Sequence, residues 1–173
     1  MINISEVYLE YKIIFTIKNN VLIPSAGIDE SNAGGYYVLW PNNPQKTAND
    51  IRKFLVKKFH LKKVGVIITD SRTMPLRKGT IGVSIGYSGF EALCSYIGRP
   101  DVFGRKLKMT KASIVDALAV SAVSVMGEGN EQTPLAIMED LPNVRFTGKD
   151  PTKAELRELT ISIEDDLYAP MLK

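Results

Sequence analysis

Three short stretches hold most of the side chains that could do chemistry: Asp29-Glu30-Ser31-Asn32, Thr69-Asp70-Ser71 and Gly127-Glu128-Gly129-Asn130. None contains histidine or cysteine. Their donors are oxygens, so a metal held between them would be a hard one: magnesium, manganese or calcium. Arg72, Arg77, Lys78, Arg99 and Arg105 supply cations of the kind that suits phosphate and carboxylate groups. An acid at the end of a buried strand with cations around it fits metal and phosphate. An exposed Asp-Ser turn with solvated arginines would carry the same residues. Gly27, Gly34 and Gly35 around the first stretch allow close backbone approach to a ligand, although a disordered surface loop has the same composition. Spacing alone does not bring the three stretches together.

The elements that must position them are legible in outline. Val64, Val66, Ile67 and Ile68 predict a strand covered on both faces that stops at Thr69-Asp70-Ser71. Pro75 excludes a helix through the basic turn that follows. Thr80 to Tyr87 predicts a second strand, in which Gly82 and Gly86 are tolerable only where backbone approaches something closely. Residues 6–18 and Val21-Leu22-Ile23 read as a hairpin about Asn19-Asn20. Tyr36 to Leu39 reads as a strand, and Trp40-Pro41-Asn42-Asn43-Pro44 as a turn. A helix is expected from Thr47, with Asp50 completing a capping box. Ile51, Phe54, Leu55 and Phe59 would face inward, and Lys53, Lys57 and Lys58 would form a solvated face rather than a nucleic-acid patch. Phe90 to Tyr96 reads as a short helix or turn before a polar loop holding Arg99, Asp101 and Arg105.

A core helix is expected from a Thr110 cap to Met126, stopped by Gly127, with Ile114, Val115, Leu118, Ala119, Ala122 and Val123 packed. Short strands are expected at residues 135–138 and 143–146, then a last helix opened by Asp150-Pro151. The fold class is α+β, with mixed or antiparallel sheets and few helices.

Composition narrows the rest. With 173 residues, 45% of them hydrophobic, the chain can bury one substantial core. Twenty-two basic against nineteen acidic residues give +3, too mild to argue for nucleic acid or a membrane surface. One cysteine, Cys94, excludes an internal disulfide and fits a reducing cytoplasm; one histidine, His60, makes a histidine metal site or a His-based triad improbable and reads as a surface position. No run reaches the roughly 18–20 apolar residues of a membrane span, and MINISEVYLEYK has no hydrophobic signal core. A soluble cytoplasmic protein is expected.

The pieces AGIDESN, VGVIITDS, IGVSIGYSG, GRPDVFGRKL and VMGEGNEQTP, in this order, resemble the coenzyme F-420-0:L-glutamate ligase family. The resemblance covers most of the chain, from about Val21 to EDDLY. It implies a single γ-glutamyl-ligase-like domain over residues 1–173, and a GTP-dependent enzyme using manganese or magnesium. Such an enzyme adds L-glutamate through a γ-linked amide to an anionic acceptor, a deazaflavin or, in some relatives, a folate. By this resemblance Asp29 and Asp70 match the metal-binding acids, and Ser71 keeps the hydroxyl of a usual threonine. Asn32 matches a nucleotide-contacting asparagine. Met126, Gly127, Glu128, Gly129, Asn130 and Thr133 match the nucleotide-binding loop, with Glu128 its candidate acid. Arg77 matches the basic residue that ends the family's G-R-P-W-R turn, here Arg72-Thr-Met-Pro-Leu-Arg77; with Arg105 it is the candidate grip on anionic groups.

The family's further N-terminal segment has only about twenty counterparts before the first loop. That leaves a natural short form, a separate partner chain supplying the missing half, or a homologue that binds or regulates without catalysis. The resemblance also implies a homodimer. A metal-dependent phosphate-ester hydrolase would explain the acids and arginines but not the ordered motifs.

Overall fold

A computed structural model describes residues 13–172. It is α+β, and its sheets are three separate antiparallel pairs among the described residues. Strand β1 (Phe15–Lys18) turns through Asn19 and Asn20, both at positive φ, into β2 (Val21–Pro24), as the Asn-Asn pair predicts. The earlier part of the expected first strand, residues 6–12, lies outside the described residues. Helix α1 (Pro44–Phe59) follows, then β3 (Val66–Thr73) paired with β4 (Thr80–Ser88). Strand β5 (Leu93–Ser95) pairs with β6 (Lys111–Ser113), which runs straight into α2 (Ile114–Met126). Two short helices, α3 (Lys153–Leu159) and α4 (Ala169–Leu172), close the chain. No helix among the described residues is long and apolar enough to cross a membrane.

The strand buried against helices is β4, not β3. Val83, Ser84, Tyr87 and Ser88 are buried, whereas β3 is half-buried from Val66 to Arg72. Its glycines explain why. A Cβ on Gly82 would lie 2.4 Å from the Ala119 carbonyl oxygen of α2, and one on Gly86 2.7 Å from the Pro44 backbone of α1. Both helices therefore press onto bare backbone of the same strand, the close approach that licenses glycine there. Tyr87, Phe90, Ala92 and Val115 form the core, with Leu118, Leu156 and Leu159 packed around them.

Six local expectations are corrected. Helix α1 begins at Pro44 on an Asn43 cap whose Oδ1 accepts from Lys46 N, three residues before Thr47. Helix α2 is capped by Ser113 rather than Thr110, because residues 111–113 pair as β6 with β5; Phe90 to Tyr96 accordingly holds a strand rather than a helix. Helix α3 is capped by Thr152 in a box with Glu155, because Asp150 is engaged elsewhere. Residues 135–138 form no strand, and residues 143–146 contribute only the isolated Phe90–Phe146 bridge. The stop of α2 at Gly127 and the exposed position of His60 at the end of α1 are as expected.

The inner face of α1 also differs. Phe54 and Phe59 are more than half exposed, while Arg52 is 6% exposed. Arg52 Nε donates to Ser88 Oγ (2.8 Å), one terminal nitrogen to Gly148 O (3.0 Å) and the other to Asp150 Oδ1 (2.8 Å). Lys53 Nζ lies 2.6 Å from the other Asp150 oxygen. Burial would raise the Asp150 pKa, but the hydrogen bonds from Lys53 and Arg52 outweigh it and hold the carboxyl below its ordinary value.

Candidate functional site

The first loop is shaped by its own acid. Asp29 pairs with Val38 by reciprocal backbone hydrogen bonds of 3.1 and 2.7 Å. Its Oδ2 accepts from Ser31 Oγ (2.7 Å) and its Oδ1 from Ser31 N (2.8 Å). The Ser31 hydroxyl, then the Ser31 N–H, hold the Asp29 carboxyl below its usual pKa against a smaller opposing effect of burial. Asp29 is therefore an exposed, pre-oriented carboxylate at neutral pH.

Two residues beyond Val38, Trp40 turns inward and is 9% exposed. Its Nε1 donates to Asp70 Oδ2 at 2.5 Å, and Asp70 Oδ1 accepts from Ser71 N at 2.8 Å. Gly27 lies directly on the indole, since a Cβ there would be 2.3 Å from Nε1. Lys18 Nζ sits 4.7 Å from the ring centroid and donates to Ala26 O. One tryptophan thus locks the glycine of the first loop to the acid of the second.

The third loop is tied in from the other side. Asn32 Nδ2 donates to Gly129 O at 2.8 Å. Glu131 Oε2 accepts from Gly129 N (2.8 Å), and Thr133 Oγ1 donates to Met126 O (2.7 Å). Gly127 is at φ 81°, where a Cβ would meet the Glu131 carboxyl. The loop leaves the C-terminal end of α2, where the helix carbonyls carry partial negative charge. That end, with exposed Glu128, suits a cation better than a bare phosphate.

Some expected participants sit elsewhere. Asp70 lies inside β3 rather than at its end, since the strand continues to Thr73. Ser71, the next residue of the strand, is half-buried, and its N–H donates to Asp70 Oδ1. Arg77 is exposed in the turn beyond the last ladder pair, Thr73–Thr80, roughly 10 Å along the ribbon from Asp70. Arg105 and Asp101 belong to a closed excursion between β5 and β6, in which Asp101 Oδ1 accepts from Phe103 N and Arg105 N. Asn130 is exposed in the third loop.

Sequence reasoning missed Trp40, Lys18 and Glu131. Trp40 had a signal: it is the only tryptophan, and a buried indole N–H needs an acceptor.

Among the described residues no three His, Cys, Asp or Glu side chains group as a metal cage. Magnesium and manganese bound with nucleotides need less, one or two carboxylates with phosphate and water completing the shell. Asp29 and Asp70, both oxygen donors fixed by hydrogen bonds, fit that pattern.

Comparisons with known proteins give the site its context. The family described as F420-0:Gamma-glutamyl ligase matches residues 1–140. "Coenzyme F420:L-glutamate ligase" of Methanococcus maripaludis is 44% identical over 156 residues, covering 90% of this chain and 60% of the relative. The protein of the same name from Methanocaldococcus jannaschii is 41% identical over 157 residues, again covering 90% and 60%. That of Archaeoglobus fulgidus is 36% identical over 150 residues, covering 86% and 57%. The chain thus spans about 60% of the length of these curated relatives. With the family match running through all three loops, the chain belongs to the F420-0:Gamma-glutamyl ligase family.

Proposed function

We propose that this chain provides the nucleotide and metal site of a ligase that adds L-glutamate, through a γ-linked amide, to an anionic carboxylate acceptor of the deazaflavin type, with GTP as co-substrate. The observation that carries the proposal is the Asn32–Gly129 hydrogen bond, which closes the first loop onto the third. The Trp40–Asp70 bond supports it by closing the second.

The chemistry follows from the acceptor. A carboxylate resists an amine because oxide is a poor leaving group. When a carboxylate oxygen attacks the γ-phosphorus of GTP, the bond to the β-phosphate oxygen breaks, GDP departs and an acyl phosphate forms. The glutamate amine then attacks the acyl carbon, loses a proton and expels inorganic phosphate. A bound magnesium or manganese would neutralise charge on the phosphate oxygens. Asp29 and Asp70 would hold it, Asn32 and the loop from Met126 to Thr133 would position the nucleotide, and Glu128 would add negative charge at the cation's side. Trp40 keeps Asp70 aimed while Gly27 lets the first loop lie against the indole.

The test is calorimetry of GTP and ATP with the full chain, with and without manganese, followed by a glutamate-transfer assay on deazaflavin and folate acceptors. Manganese-dependent nucleotide binding is expected; a folded chain that binds neither nucleotide under either condition would sink the proposal. Trp40→Phe keeps a ring under Gly27 and Lys18 but removes the indole N–H that donates to Asp70 Oδ2. It is expected to weaken manganese-dependent GTP binding by about 10- to 100-fold, the usual effect of losing a partner that orients a metal ligand. Its stability should fall by only about 1 kcal/mol.

A further inference from the structure

Over β4 lies a cavity of about 490 Å³, within the roughly 300–1,000 Å³ of small-molecule sites. It is reached from the site by the same two segments. Trp40 and Asp70 meet at the loops; Asn42 and Arg72, each two residues further on, line the cavity. Its floor is β4, whose outer edge is already satisfied by side chains. Asp116 Oδ1 accepts from Ser84 N (3.1 Å), while Gln45 donates to Tyr87 O (2.6 Å) and accepts from Tyr87 N (3.3 Å). An added β-strand would find these groups taken, so an occupant must be recognised by side chains.

One of those side chains is unexplained. Among the described residues, Arg72 has no carboxylate within ion-pair distance, and its Nε is shut off from solvent with no hydrogen-bond acceptor. A half-buried guanidinium kept without a counter-ion is costly, and the cost is offset when an anion arrives at its terminal nitrogens. Across the same cavity stands Asp116. Its second oxygen accepts from Ser113 Oγ (2.7 Å), but a carboxylate has about four acceptor positions, which leaves room for an ammonium.

We propose that this cavity is the subsite for the amino-acid substrate, with Arg72 gripping a carboxylate of L-glutamate and Asp116 its ammonium group. The assignment rests on the ligase reading for the identity of the amino acid. A cation and an anion facing one small cavity select a zwitterion; a plain dicarboxylate would meet Asp116 unfavourably. Arg72 directly follows the second loop, Thr69-Asp70-Ser71, so the cavity's edge meets one of the three loops.

The experiment is calorimetric titration of the full chain with L-glutamate and with glutarate, in the presence and absence of GTP and manganese. Arg72→Gln is expected to weaken L-glutamate binding by about 10- to 100-fold, the range for charged hydrogen bonds, with Arg72→Lys intermediate. Glutarate should bind wild type at least about tenfold more weakly than glutamate. Because Arg72 Nε has no partner among the described residues, the unliganded melting temperature of Arg72→Gln should equal or exceed wild type. Should that variant fail to fold, Asn42→Phe, placed at the exposed rim, should block glutamate instead. Unchanged glutamate affinity in Arg72→Gln (or, if needed, Asn42→Phe), equal binding of glutarate, or no glutamate binding by wild type under any condition would overturn the proposal. Nucleotide binding separates the two readings. Arg72-dependent glutamate binding without nucleotide binding would leave the subsite standing and remove the ligase; nucleotide binding without glutamate binding would do the reverse.

Discussion

Asp29→Asn and Asp70→Asn should each weaken manganese-dependent GTP binding by at least about 100-fold, and the double variant should show none. Partners that merely orient a metal ligand are worth about 10- to 100-fold, and removing a ligand's charge should exceed that. The two variants differ in what they do to the fold. The Asp29 carboxylate is exposed and is held locally, by Ser31. An asparagine there keeps the acceptor for Ser31 N and offers its amide to the Ser31 hydroxyl, which can turn to accept. Stability should be unchanged. Asp70 accepts from two N–H groups, Ser71 N on one oxygen and Trp40 Nε1 on the other. An asparagine has one oxygen, so in either orientation an amide donor faces another donor. Asp70→Asn should therefore also lose about 1–2 kcal/mol in urea denaturation. Manganese-dependent binding that survives in both single variants would show that neither acid holds the metal.

The contrast between these two acids reflects what the sequence made legible. The Asn19-Asn20 hairpin, both strands of the β3–β4 ribbon and the stop of α2 at Gly127 follow from local rules, and all are present. Helix starts were harder. Asn43, Ser113 and Thr152 cap α1, α2 and α3, yet Thr47, Thr110 and Asp150 are equally good local signals. The choice was made at long range. Thr110 lies just before β6 and its carbonyl accepts from Tyr96 N; Asp150 was taken by Arg52. The inner face of α1 was misread for the same reason. An arginine looks like a surface residue until Ser88, Gly148 and Asp150 surround it. At the site, the residue types were legible but their convergence was not. It depends on Trp40 reaching Asp70 and Asn32 reaching Gly129, hydrogen bonds that span 30 and 97 positions.

Asp150→Ala is expected to be the most destabilising of the single substitutions, at about 3 kcal/mol. Removing one partner of a buried ion pair strands the other charge, at about 3–5 kcal/mol when both are fully buried. Here the Arg52 side chain is 7% exposed and the Asp150 side chain 30%, which argues for the lower end. Arg52→Met should cost less, about 1–2 kcal/mol, because Asp150 can stay hydrated and paired with Lys53. The asymmetry tests whether stranding a charge matters more than losing bonds. The network also fixes a pH dependence. Asp150 has a folded-state pKa below its ordinary 3.8, so its contribution is fully present above that value and disappears as pH falls through the lower one. Wild type should therefore lose stability below about pH 4 more steeply than Asp150→Ala, and the two curves should converge in acid. Parallel curves would mean that the carboxylate is not what holds Arg52. The C-terminal segment would then be secured by its backbone bonds, Thr147 N to Gly89 O and Glu91 N to Arg145 O.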